Sequence, residues 1–288
     1  MITISFCIIN LNAKKVLKEC LKSIENSIRD EKYEIIITDN NSTDGSQKMI
    51  NTFKKKIHII QNSRNEGYTS ALNKAIVKTR GKYIAVLNPD TILENRSIIN
   101  LISSFEKDSA IGIVGPKVIN EDGTFQKSCR RGLAKPKAVF SYFLGLSNKF
   151  SKNKNFTGYH LNHLDENETN EVYGVSGSCM IIKREVVNDI GYFDERYFAY
   201  QEDSDYCLMA INKGWKILYN PNAKVIHKGG VGGSNTVPMK AIFEWHRSYY
   251  KYYFKHFSKD YSFLFNLFYS LVMLLKLLFS QISFIIKS

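Results

Sequence analysis

Cysteine, uninterrupted hydrophobic length and obvious leader features are scarce in this 288-residue chain, and each scarcity excludes something. The five cysteines (Cys7, Cys20, Cys129, Cys179, Cys207) are scattered, odd in number and form no C-x-x-C pair. That argues against a disulfide framework and a zinc site, and favours a reducing compartment. Residues 1–10 show no basic n-region and no small-residue cleavage site, so no signal peptide is expected and Ile2–Ile9 reads as a buried first strand. No internal repeat and no low-complexity linker interrupts the chain. No Ser-His-Asp or Cys-His arrangement offers a nucleophile. In the apolar C-terminal segment the longest charge-free stretch, Tyr261–Leu275, has 15 residues, short of the roughly 20 that span a bilayer.

What is present is an alternation of strand-like and helix-like patterns, placing the chain in the α/β class. Val16, Leu17, Cys20, Leu21, Ile24 and Ile28 recur at helical spacing after the first strand. Tyr33–Thr38 is a second strand and Ile57–Ile60 a third. Ala71, Leu72, Ala75 and Ile76 share a helical face, and Tyr83–Leu87 is a fourth strand. This rhythm predicts a mostly parallel sheet with right-handed crossovers and flanking helices. Asn120-Glu121-Asp122-Gly123 reads as a hairpin-like turn. Residues 151–170, polar and rich in Asn, read as a mobile surface loop. Tyr173–Lys183 is a strand, a helix begins near Glu202, and Lys224–His227 is a short last strand.

Net charge is +13, and Lys213–Ser288 holds eleven Lys/Arg against two acids, or +9. A basic tail suits nucleic acid or an anionic membrane. Here Arg247, Tyr249, Tyr250, Lys251, Tyr252, Tyr253, Lys255 and Lys259 lead into the Phe/Leu-rich segment. Aromatic rings beside lysines fit a headgroup layer, so the expected partner is a membrane surface and not nucleic acid. A helical hairpin packed on the domain is the alternative.

Carboxylates gather at three predicted strand ends: Asp39 with Asp44, Asp90 in Leu87-Asn88-Pro89-Asp90-Thr91, and Glu202-Asp203-Ser204-Asp205. The carboxyl edge of an open α/β sheet is where ligands bind, so acids after several strands converge on one crevice. Taken singly, each cluster is equally an ordinary helix cap or turn.

These stretches carry a resemblance. With Ile8-Ile9-Asn10-Leu11-Asn12, Asp39-Asn40-Asn41-Ser42-Thr43-Asp44-Gly45-Ser46, Asn65-Glu66-Gly67-Tyr68, Gly177-Ser178-Cys179-Met180, Gly191-Tyr192-Phe193-Asp194-Glu195, Gly214-Trp215 and His227, the chain resembles the family-2 inverting glycosyltransferases of GT-A fold. The similarity is greatest to the bacterial rhamnosyltransferase-like branch. It implies a GT-A domain over residues 1–235, with a donor-binding half of about 1–115 and an acceptor half of about 116–235. Residues 236–288 then form a membrane-associating tail. It implies transfer of a sugar, L-rhamnose from dTDP-rhamnose, onto a lipid-linked glycan in cell-surface polysaccharide synthesis. The place implied is the cytoplasmic face of the cell membrane, peripheral or shallowly inserted, and oligomers are compatible with it. A UDP-hexose or UDP-N-acetylhexosamine donor is the alternative. A non-catalytic scaffold of the same fold is a remoter one. A sugar-nucleotidyltransferase would need a Gly-rich loop after the first strand, where Ile9-Asn10-Leu11-Asn12-Ala13 has no glycine.

The resemblance also implies site residues. Ile9, Asn10, Asp39, Asn41, Asn65, Gly67, Asn88 and Asp90 would bind the nucleotide-sugar, with Asp39 accepting a pyrimidine N3–H and Gly67 permitting close approach. Asp90 and His227 would ligate Mn2+ or Mg2+ with diphosphate oxygens; Asn88 stands where the family's D-x-D motif has its first aspartate. Asp203 would be the general base, with Glu202 orienting the acceptor or raising the pKa of Asp203. Arg130 and Arg131, with Lys127 nearby, would hold a phosphate. Gly177, Ser178 and Trp215 complete the expected acceptor or phosphate contacts, although Arg130 and Arg131 also fit a solvated loop and Trp215 a core.

Overall fold

A computed structural model describes residues 2–28, 32–53, 57–230 and 233–287. The outermost residues of the expected domain and tail, Met1 and Ser288, lie outside them. The first half runs β1 (Ile4–Asn10), α1 (Lys14–Ser27), β2 (Tyr33–Asp39), α2 (Ser46–Ile50), β3 (Ile57–Gln61), α3 (Tyr68–Val77) and β4 (Tyr83–Leu87). It continues with β5 (Thr91–Leu93), α4 (Ser97–Ile102), α5 (Ser104–Lys107), β6 (Ile111–Ile119), β7 (Arg130–Arg131), α6 (Pro136–Phe143) and α7 (Leu146–Lys149). The remainder is β8 (Asn170–Val172), β9 (Gly174–Val175), β10 (Cys179–Lys183), α8 (Arg184–Ile190), α9 (Glu202–Ile211), β11 (Lys216–His227), α10 (Pro238–His256) and α11 (Phe263–Lys287).

Nine described strands form one sheet in the order β3-β2-β1-β4-β10-β6-β11-β5, with β8 also paired to β11, while β7 and β9 make a separate pair. The sheet is α/β and mostly parallel as expected, six of its nine strands pointing one way and β10, β5 and β8 the other. β3, β2, β1 and β4 are mutually parallel, whereas β10 runs antiparallel to both its neighbours β4 and β6. All seven residues of β1 are buried, as for a strand covered on both faces.

Two expected elements change. The stretch 173–183 is divided at Ser176-Gly177-Ser178, so only Cys179–Lys183 joins the main sheet. The last strand begins eight residues earlier than its pattern suggested, at Lys216 rather than Lys224. Pro221 sits in a register shift between Asn220 and Lys224, where a residue without an N–H is tolerated. The Asn120–Gly123 turn forms as expected, closed by Gly123 N–H donating to Asn120 O at 3.0 Å.

The segment 151–170 packs on the domain instead of running as a loose surface loop. Arg130, 1% exposed, donates from its two terminal nitrogens to Leu164 O (2.6 Å) and Asp165 O (2.7 Å) and lies over the Tyr219 ring.

Beside the main core stands a second cluster, largely aromatic, that includes Tyr159, Tyr197, Tyr249, Tyr252, Tyr253 and Tyr269. It seats α10 on the domain. Asp205 of α9 fastens that helix with Lys255 Nζ at 2.7 Å and His256 Nε2 at 2.6 Å. α11 folds back on α10 through stacked Tyr253 and Tyr269, 3.8 Å apart. The hairpin alternative is therefore realised. Yet Leu267, Leu271, Leu274 and Leu278 remain 46–60% exposed, and α11 is long and apolar enough to cross a membrane.

Candidate active site

Strand registry assembles the site. Asn10 aligns with Asp39, and Ile8 with Leu87, so the segments after β1, β2 and β4 leave the sheet at one edge. Cys179 pairs with Leu87 in the opposite direction, bringing Gly177 and Ser178 to that edge. Thr91 pairs with His227, setting Asp90 beside the imidazole. Ser178 O accepts Asn88 N–H (3.1 Å) and the Thr91 hydroxyl (3.0 Å), strapping the Asn88-Pro89-Asp90 turn in place.

A cavity of about 500 Å³ opens there, within the range of small-ligand sites. One wall holds Asn88, Asp90 and His227, another Glu202 and Asp203, and a third the α10 residues Lys240, Glu244, Trp245 and Tyr249. Tyr142, Tyr159 and His160 also line it. Burial, then the charges of Arg131 and Lys127, lowers the His160 pKa to about 3, keeping that ring neutral.

The carboxyl pair is electrostatically split. Arg131 Nη1 lies 2.6 Å from Asp203 Oδ1. The same oxygen accepts Ser204 N–H at 2.7 Å, while Oδ2 accepts Gly177 N–H at 2.9 Å. Burial alone would raise Asp203, but Arg131 and these donors outweigh it and hold the carboxyl below its ordinary value. Burial, then the charge of Asp203, pushes Glu202 well above the carboxylate range. The expectation that Glu202 raises its neighbour is thus reversed. Asp203 carries the charge and Glu202 the proton. Asp205 turns away to α10.

Asp90 Oδ1 stands 3.2 Å from His227 Nε2, and Asn88 Nδ2 is 3.3 Å from that nitrogen. His227 Nδ1 lies 2.9 Å from Gln126 Oε1. A carbonyl oxygen can only accept, so Nδ1 bears a hydrogen toward Gln126 and Nε2 is the ring nitrogen that faces Asp90. Among the described residues no three His, Cys, Asp or Glu gather as a metal cluster. The Asp90–His227 pair supplies one carboxylate and one imidazole, a donor set that fits a divalent cation only in part.

Four buried polar atoms on the cavity wall have no partner among the described residues: the Tyr68 hydroxyl, Ser178 Oγ, Gln201 Oε1 and Glu202 Oε2. Orphaned polar groups in a cavity are where a ligand supplies the missing bonds.

Other expected contacts lie elsewhere. Ile9 and Asn65 line the cavity, but Asn10, Asp39, Asn41 and Gly67 do not. Asp39 is fully buried, and Asn10, Ser42, Gln47 and Gln61 all donate to it. These bonds overcome burial and lower its pKa, leaving it a hub of the β2 edge. Gly67 makes room for protein, because a Cβ there would meet Phe198 O at 2.7 Å. Asn41 is exposed with φ +68°. Arg130 is the strap of the 151–170 segment and Arg131 the partner of Asp203, while Lys127 is exposed off the cavity wall. Trp215 packs on Gly112 and donates to Asp189 at 2.9 Å, away from the cavity.

The α10 wall and Tyr68 were missed. The signal was there in Trp245, Tyr249, Tyr252 and Tyr253, spaced for one inward helical face, beneath an interleaving of lysines that resembled a membrane belt.

Residues 5–191 match the family described as Glycosyl transferase family 2. The N-acetylglucosaminyl-diphospho-decaprenol L-rhamnosyltransferase of Mycobacterium tuberculosis is 28% identical over 204 residues, covering 67% of this chain and 66% of that protein. Among solved structures, a mannosyltransferase of Pyrobaculum calidifontis in complex with GDP-Man and Mn2+ superposes with TM-score 0.59 at 14% identity, covering 88% of this chain and 64% of that one. GalNAc-T7 with UDP, GalNAc and Mn2+ gives TM-score 0.58 at 20% identity, covering 88% and 50%. A sheet of this order, carrying its polar residues at one edge, is the GT-A fold, and the chain belongs to glycosyl transferase family 2.

Proposed function

We propose that this glycosyltransferase moves L-rhamnose from dTDP-rhamnose, with inversion, onto a lipid-linked glycan at the cytoplasmic face of the cell membrane. The observation that carries the catalytic part is the split pair. Asp203 is ionised and lines the same cavity as Asp90 and His227. Asp203 Oδ2 accepts one hydrogen bond among the described residues, from Gly177 N–H, which leaves a lone pair for an acceptor hydroxyl. In a single displacement that oxygen takes the hydroxyl proton while the acceptor oxygen bonds to the anomeric carbon and the bond to the nucleotide diphosphate breaks. No side chain forms a covalent intermediate, so configuration inverts. Glu202, protonated at neutral pH by its raised pKa, is a hydrogen-bond donor and not a competing base.

Asp90 and His227 would hold the divalent cation, Mn2+ or Mg2+, which when bound would neutralise charge on the leaving diphosphate. Gln126 fixes the imidazole for that purpose. Support for a metal comes from the Mn2+ in the complexes of the Pyrobaculum mannosyltransferase and of GalNAc-T7. Support for the donor sugar comes from the mycobacterial relative's name and from the Asn88-Pro89-Asp90 turn. The exposed leucines of α11 support membrane contact.

Calorimetric titration with dTDP, UDP and GDP, each with Mn2+ and with EDTA, tests the reading. A metal-requiring preference for dTDP is expected. Preference for UDP would replace the donor with a UDP-hexose or UDP-N-acetylhexosamine, and failure to bind any of the three would sink the reading.

A further inference from the structure

The catalytic cavity continues past Tyr142, Tyr200, Ala241 and Trp245 into a groove between α6, α10 and α11. Its far wall is formed by His246, Lys276 and Ser280. Tyr269, Met273, Lys276 and Ser280 follow one another at spacings of four, three and four, which places them on the face of α11 turned toward α10. Tyr269 and Met273 are buried there, as packing demands. Lys276 and Ser280 then put a cation and a hydroxyl on the inward face of a helix whose outward face is leucine and phenylalanine. For a helix held only by apolar packing, that arrangement is inside out.

Lys276 has no carboxylate partner among the described residues. Its ammonium lies 4.4 Å from the Phe143 ring centroid and 4.8 Å from that of Trp245. Its polar neighbour is His246 Nε2 at 3.3 Å, which Ser280 Oγ also approaches at 3.4 Å. Burial lowers the Lys276 pKa, so an anion would relieve the cost of keeping this charge half-buried. His246 Nδ1 lies 2.8 Å from Ile242 O, its helix's own carbonyl, which directs Nε2 into the groove. A lone cation between aromatic rings, open to the catalytic cavity and roofed by an apolar helix, matches a phosphate joined to a long hydrocarbon.

We propose that this groove is the acceptor's lipid-phosphate subsite, with Lys276 binding phosphate oxygens and the hydrocarbon chain running along α11. The inference rests on the lipid-linked acceptor proposed above. It adds that the chain recognises the phosphate-bearing lipid end and not the sugar alone.

The test uses farnesyl diphosphate as probe, titrated into the detergent-solubilised full chain in EDTA and read by tryptophan fluorescence, since Trp245 lines the groove. Farnesol and inorganic diphosphate are the comparison arms. Unaltered protein should bind farnesyl diphosphate more tightly than either. Lys276→Met should weaken that binding about ten- to hundred-fold, as expected for losing a charge-assisted bond to phosphate, and Lys276→Arg should restore most of it. Neither variant should change hydrolysis of the nucleotide-sugar donor. Equal binding by the Met variant and the unaltered chain would overturn the proposal, as would inorganic diphosphate binding as tightly as the lipid. A chain that binds the probe through Lys276 yet transfers no sugar would overturn the functional reading and leave the subsite standing.

Discussion

Replacing Arg131 by Met should destabilise the protein more than any surface change. Arg131 and Asp203 side chains are 13% and 8% exposed, with their charged atoms 2.6 Å apart, so water screens the pair little. The substitution also removes the donor to Ser204 Oγ (2.8 Å) and the Nε–H donor to Ser128 O (3.1 Å). Removing one partner of a buried ion pair costs about 3–5 kcal/mol, a large share of the 5–15 kcal/mol that typically holds a domain folded. Urea unfolding at pH 7 should show a lower midpoint at unchanged slope. Asp203 has its pKa depressed by folding, so its stabilisation is present above its unfolded pKa and lost as pH falls through the folded value. The gap between variant and unaltered protein should therefore narrow in acid. Arg131→Met with Asp203→Asn leaves no orphan charge and should recover about half the loss, a coupling readable from the double-mutant cycle. A single variant within about 1 kcal/mol of the unaltered protein, or a double variant at the sum of the two losses, would refute the reasoning.

Three further outcomes are expected. Asp203→Asn should lower kcat by about 10²–10⁴ at unchanged donor KM, as for loss of a general base, whereas Glu202→Gln should retain most activity. Because folding raises the pKa of Glu202, its contribution is lost as pH rises through that folded value, so Glu202→Gln should gain on the unaltered protein in alkaline urea titrations. Gln126→Leu frees the His227 ring and should weaken Mn2+ half-saturation of dTDP binding about ten- to hundred-fold, and Asp90→Asn should weaken it more; insensitivity of both would remove these residues from metal binding. Changing Leu267, Leu271, Leu274 and Leu278 together to Gln should release the protein from anionic vesicles in sedimentation, by about ten-thousandfold at roughly 1.5 kcal/mol per leucine, with donor hydrolysis intact.

The parallel half of the sheet was legible because β1, β2 and β4 are short apolar runs that end in polar turns. The antiparallel β10 was not, since its direction depends on a long connection whose path no local pattern records. The edge-clustered residues Asp90, His227, Glu202 and Asp203 were found through motif order, and they do share one cavity. Asp39 shows where that reasoning ends. Its position at a strand end is as expected, yet four internal donors claim its carboxyl, and hydrogen-bond saturation cannot be read from spacing. The same holds for Arg131. A basic pair in an irregular region suggests phosphate, and only the folded chain shows one guanidinium spent on carbonyls and the other on Asp203.

Asp205 has a consequence of a mechanical kind. It sits two residues beyond Asp203 on the first turn of α9 and is gripped by Lys255 and His256 at the end of α10. The C-terminal hairpin is thus bolted to the helix that carries Asp203, and force on one is felt by the other. A chain cut after residue 235 would lose a wall of its cavity and leave the 1%-exposed Asp205 side chain without the lysine and histidine that hold it. The helix pair that carries the exposed leucines also carries a wall of the cavity.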